Sequence, residues 1–137
     1  MTQFITWMPP HVAFYLHLDH WRTINNLIRR FKDKPIVYGL LCVETGMIYI
    51  GSSFVGHDRL HQHLVTGNSS NPALQAAIAQ HGLAKFKAYI FVEVKFPPAM
   101  SYADRKAYLT SIEQEYMNKF PAAQLYNQKS ANLSSTT

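Results

Sequence analysis

The chain has 137 residues, 47% of them hydrophobic, a formal charge of +5 and a pI of about 9.4. That length supports one small core rather than several domains. A single cysteine, Cys42, excludes an internal disulfide framework and points to an intracellular, reducing compartment. No apolar run reaches the length of a membrane span, and the modest basic excess favours a polyanionic partner without identifying it.

Residues 1–34 form an N-terminal extension. Met1 to Pro10 shows no clear element, and Pro9-Pro10 punctuates it. From His11 or Asp19 onward a helical pattern is expected, its stripe of Trp21, Ile24, Leu27, Ile28 and Phe31 packing on the rest, with Arg22, Arg29, Arg30 and Lys32 beside it. Such a basic helix could also touch nucleic-acid phosphates. An organellar, for example mitochondrial, targeting segment is the other reading, since acidic residues are scarce before Asp33. His11, His17 and His20 have no cysteine near them to complete a metal site.

Ile36 to Val43 is β-prone, Glu44-Thr45-Gly46 is a turn, and Met47 to Ile50 returns as a second strand ended by Gly51-Ser52-Ser53. Tyr38 and Tyr49 lie on opposite arms, so their phenols can converge. A helix follows over Gly56 to Thr66, buried through Leu60 and Leu64. It places Arg59 and His63 on one face, four residues apart. His57 and His61 share another face, too few for zinc.

Asn71-Pro72 reads as the cap and first turn of a second helix that stops at Gly82. Capping is the simpler role for Asn71; contact with a nucleic-acid backbone is the other. Lys85 to Val94 is a third strand, apolar on both faces. Ser101 opens the longest helix, whose stripe is Leu109, Ile112, Tyr116, Met117 and Phe120. Glu113 falls inside the stripe and Glu115 outside it. A carboxylate facing a core needs a partner: an ion pair, for example with Arg59, or a bound cation. Residues 131–137 read as a frayed polar tail.

The order β-β-α-α-β-α follows from this periodicity, and residues 35–130 resemble the GIY-YIG nuclease family. Ile36-Val37-Tyr38 stands for its first motif and Tyr49-Ile50-Gly51 for its second, with ten residues between the two triplets. Arg59 and His63 match its R-x-x-x-H, Glu113-Gln114 its metal-binding motif, and Tyr126-Asn127 its closing pair. One departure stands out: Ile36 occupies the place of the family's first glycine.

The resemblance implies an α/β domain, an α+β sandwich with a three-stranded antiparallel sheet flanked by helices. It further implies a metal-dependent DNA endonuclease using one Mg2+ held by Glu113. Tyr38 is taken as general base relayed by His63, Tyr49 as positioning water or phosphate, and Arg59 as neutralising phosphoryl charge; the spacing leaves both phenols eligible as base. Asn127 would orient the tyrosines, with a turn role as its alternative. Arg59, Asn71, Lys85 and Lys129 would meet DNA. A homing enzyme from an intron or mobile element, relying on a separate DNA-recognition module or partner, is the reading adopted. A structure-selective repair nuclease and an inactive DNA-binding relic are the alternatives.

Overall fold

The structure, a computed structural model, describes residues 7–67 and 70–128. The expected tail and Lys129 lie outside the described residues.

The hairpin forms as its sequence demands. Strands β2 (Ile36–Cys42) and β3 (Ile48–Ser53) pair antiparallel, and Gly46 takes the left-handed conformation, φ 79°, at the turn. β3 does not end at Ile50. Gly51, Ser52 and Ser53 continue the ladder opposite Tyr38, Val37 and Ile36. The next strand in the chain, Phe86–Glu93, pairs with the other edge of β2, with a bulge where the register shifts between Val37 and Tyr38.

Among the described residues the sheet has four strands, not three, in spatial order β1-β4-β2-β3, where β1 is Ala13–Tyr15 and β4 is Phe86–Glu93. The extra strand, β1 (Ala13–Tyr15), pairs with β4 through Ala13↔Ile90. It belongs to the segment expected to be a helical extension, so the element order opens β-α before the hairpin. Three residues at a sheet edge, with Phe14 54% exposed, carry too little burial to leave a hydrophobic period.

Helix α1 (Trp21–Arg30) is capped by His20, whose Nδ1 accepts the Arg22 N–H at 3.2 Å. Ile24, Leu27 and Phe31 are buried as expected, but Trp21 is 64% exposed. Trp21 is the first helical residue, one turn short of the core, and it packs against His20 and the Arg22 guanidinium instead. Arg22, Arg29 and Arg30 are exposed. Leu27→Ala should therefore cost about 2–5 kcal/mol by cavity formation, whereas Trp21→Ala should stay within about 0.5 kcal/mol. Chemical denaturation of the two variants checks this.

Two layers cover the sheet. On one face, α1, α2 (Gly56–His61, continued by a π-helical turn, Gln62–Thr66) and α3 (Pro72–His81) enclose Ile36, Tyr38, Leu40, Cys42, Leu60, Leu74 and Ile90. On the other, α4 (Tyr102–Met117) covers Val37, Leu41, Ile48, Ile50 and Phe91. Asn71 caps α3 by accepting the Leu74 N–H at 2.8 Å, and Ser101 caps α4 by accepting the Asp104 N–H at 3.1 Å. No helix among the described residues is long and apolar enough to cross a membrane.

Candidate active site

Tyr38 and Tyr49 are diagonal neighbours in the hairpin: Tyr38 lies opposite Gly51, and Tyr49 opposite Leu40. Their rings are 6.5 Å apart on the helix-covered face. Tyr38 reaches across the ladder because Gly51 has no side chain; a Cβ there would fall 2.5 Å from the Tyr38 hydroxyl.

His63 enters from the π-helical turn, which widens the helix and turns the imidazole inward until it is 1% exposed. Its Nε2 lies 2.8 Å from the Tyr38 hydroxyl, and its ring meets that of Tyr49 edge-on at 4.9 Å. Arg59, one turn earlier, donates from Nη1 to Gln62 Oε1 at 2.5 Å, and its guanidinium favours the ionised form of both phenols. Four of the expected residues thus form one cluster.

Its electrostatics follow from burial. Burial pushes the Tyr38 phenol well above its ordinary value; Tyr49 and Glu113 push the same way, and Arg59 opposes them. Burial also raises Tyr49, again opposed by the Arg59 hydrogen bond and charge. His63 is driven down to about 3, first by burial and then by the Arg59 charge, so it is neutral at physiological pH.

This depression makes stability pH-dependent. An unfolded histidine titrates near about 6.5, above the folded value of about 3. Between those values the unfolded chain binds a proton that the folded ring refuses, so His63's contribution is intact above about pH 6.5 and lost as pH falls toward 3. The slope approaches about 1.4 kcal/mol per pH unit. Melting temperatures between pH 7 and about 4 should fall less steeply in His63→Gln than in the unchanged protein.

Glu113 stands differently. Its Oε1 accepts the Ser52 hydroxyl at 2.5 Å. Strand alternation sends Ser52 to the α4 face, opposite Tyr49 and Gly51. β3 is the edge strand of the sheet, and the Glu113 charge still raises both phenols across it. Glu115 is exposed, as the stripe predicts.

Asn127 spends its amide on the strand. It accepts the Ile50 N–H at 2.9 Å and donates to the Ile50 carbonyl at 2.7 Å, so its amide holds the β3 backbone beside Tyr49. Asn71 is next to Ser70, which bonds His63. Lys85 sits at the far end of β2, where its carbonyl accepts the Val43 N–H, about 13 Å along the strand from Tyr38. Sequence reasoning missed Ser52, Gln62, Ser70 and Gln75; each is a small or amide side chain in a polar stretch, without a period to mark it.

Among the described residues, no three His, Cys, Asp or Glu side chains gather in a way that could hold a metal ion. Glu113 offers the site a carboxylate, with Ser52 on one oxygen. That donor set fits a hard cation that keeps most of its water shell, as magnesium does, and not zinc.

An α+β domain with a tyrosine–histidine–arginine cluster at the edge of its hairpin is thus the class that fold and site define. No family model matches the chain, and no solved structure matches it. It is 34% identical over 122 residues to the protein named "Probable intron-encoded endonuclease 1" of Neurospora crassa, the match covering 82% of this chain. The chain spans 39% of the length of that relative.

Proposed function

We propose that this chain is a metal-dependent DNA endonuclease of the GIY-YIG type, and of the homing kind. The observation that carries the reading is the cluster itself: the Tyr38 hydroxyl 2.8 Å from a neutral His63, with Tyr49 and Arg59 beside it and Glu113 across the strand edge. Similarity to a protein named as an intron-encoded endonuclease supports the same class and origin, and makes an organellar setting part of the proposal.

In this reading a phosphodiester lies at residues 51–53 of the β3 edge, past the Ile50 backbone that Asn127 holds, where groups from both sheet faces can reach it. Tyr38 takes the proton of the attacking water while passing its own to His63 Nε2. The raised phenol value makes a free phenolate costly, and a shared proton avoids forming one. Tyr49 orients water or phosphate. Arg59 holds the charge that grows on the phosphoryl oxygens, from a half-buried position where a planar donor fork is effective. Glu113 would hold magnesium, which supplies stabilisation of the scissile phosphate and the leaving oxygen. Asn71, beside His63's partner Ser70, and Lys129 would contact backbone phosphates; the position of Lys85 makes it an outlying contact.

Conversion of supercoiled plasmid to nicked or linear forms with magnesium, and none with EDTA, is the expected result; activity unchanged by EDTA would overturn the metal role. Binding by the isolated chain should be weak and fall steeply with salt, since phosphate contacts dominate a modest positive charge. A gel-shift series in rising salt checks this; site-specific binding that survives raised salt would point instead to base readout within this chain.

A further inference from the structure

His63 has a polar partner on each ring nitrogen. Nε2 meets the Tyr38 hydroxyl at 2.8 Å, and Nδ1 meets Ser70 Oγ at 2.7 Å. Gln75 fixes the far end. Its Nε2 donates to the His63 carbonyl at 2.8 Å and to Ser70 Oγ at 2.8 Å. A carbonyl only accepts, so the Gln75 amide must point its NH2 this way, and Ser70 accepts one of its protons. Ser70 keeps one lone pair and one proton. His63 is 1% exposed, whereas Ser70 is half-buried in the loop between the π-helical turn and α3.

We propose that Ser70 is the outlet of a proton relay running Tyr38–His63–Ser70, with Gln75 holding the outlet in register. The inference rests on the nuclease reading above. Ser70 acts through His63 and is a positioning residue.

In the resting state Tyr38 donates to Nε2, and Nδ1–H donates to Ser70 Oγ. As the oxygen–phosphorus bond forms, the attacking water gives a proton to the Tyr38 oxygen. Tyr38 gives its own hydroxyl proton to Nε2, Nδ1 gives its proton to Ser70 Oγ, and Ser70 gives its original proton to solvent. The bond from phosphorus to the leaving oxygen breaks with its electron pair on that oxygen. His63 is left in the opposite tautomer, and the reverse passage resets it, with Ser70 returning a proton to Nδ1, Nε2 returning one to Tyr38 and Tyr38 releasing one to water.

The need for an outlet is electrostatic. Tyr38 and Tyr49 face the ring from the hairpin, Arg59 from its own helix, and Glu113 acts on both phenols from α4. Burial and Arg59 disfavour the imidazolium, so a proton arriving on one nitrogen is best matched by one leaving the other.

The test uses the full chain. Nitrogen-15 NMR of the imidazole at neutral pH should show His63 protonated on Nδ1 in the unchanged protein. Ser70→Ala should lower kcat for magnesium-dependent plasmid cleavage by about tenfold or more with little change in KM, and Ser70→Thr should restore most of it. Cleavage by Ser70→Ala at the full rate, or a resting ring protonated on Nε2, would overturn the relay; the tautomer decides even if Ser70→Ala folds poorly. An unchanged protein that does not cleave at all removes the nuclease reading and the relay with it. Robust cleavage indifferent to Ser70 removes the relay alone.

Discussion

A methyl group at residue 51 is expected to cost the protein about 2–3 kcal/mol and to dismantle the phenol–imidazole pair. The Cβ of Gly51→Ala would lie 2.5 Å from the Tyr38 hydroxyl and 2.6 Å from the ring carbon that bears it. Neither partner can give way cheaply. The backbone of residue 51 is fixed by pairing with Tyr38, and Asn127 clamps the neighbouring Ile50 on the outer edge. Tyr38 is fully buried, with its hydroxyl on His63. The ring must therefore swing off Nε2 or the strand must bend. A fall in melting temperature of roughly 5–12 °C is expected, with His63 taking on a higher titration value as its site opens. Gly51→Ala placed in a Tyr38→Phe background should cost less than in the unchanged protein, because the closest atom is gone. Equal costs in both backgrounds would show that the strain lies elsewhere.

The same glycine shows what was legible in the sequence. Gly51-Ser52-Ser53 has the composition of a turn, and local chemistry alone ends the strand there. The ladder continues because Tyr38 on the partner strand occupies the space a side chain would fill, a fact that lives in the pairing and not in the local string. Where the signal is local, it is readable: the Gly46 turn, the Asn71 and Ser101 caps, and the Leu60 and Leu64 line all stand as their residue types indicate. Where burial is partial, it fades. β1 is short and at an edge, and its exposed Phe14 carries no periodic mark. Trp21 has the right spacing for the core but sits a turn too early.

The candidate site divides along the same line. Tyr38, Tyr49, Arg59 and His63 could be picked from motif spacing, and their convergence needed only a hairpin followed by a helix. Their partners could not. Ser70 and Gln75 bond His63 from a loop and from α3, and Ser52 bonds Glu113 across 61 residues of sequence. Glu113 itself was visible as a charge on an apolar stripe. What the stripe could not say is that Glu113 meets β3 from the face opposite the phenols, so that the strand itself stands between its carboxylate and theirs.

Glu113→Gln is expected to reduce magnesium-dependent cleavage by about a hundredfold or more, equivalent to roughly 3 kcal/mol of transition-state stabilisation, while Glu115→Gln cleaves normally. The amide has the shape of the carboxylate and keeps an oxygen for the Ser52 hydroxyl, which is bonded at 2.5 Å in the unchanged protein. Folding should therefore hold, and circular dichroism with a thermal melt checks that it does. What is lost is the negative charge. Glu113 raises the values of Tyr38 and Tyr49, so removing its charge makes both phenols easier to ionise. A loss of cleavage in Glu113→Gln cannot then be assigned to a weakened ability to form phenolate, because the electrostatic change runs the other way. It must come from the missing ligand charge, and raising the magnesium concentration should recover part of the rate. Glu115 is exposed on the outer side of α4, and its effect is confined to raising the Tyr116 phenol after burial has done so. Single-turnover rates of the two variants across a magnesium series decide the matter. Equal activity in both would remove Glu113 from metal binding and leave it as the acceptor that holds Ser52 at the edge of β3.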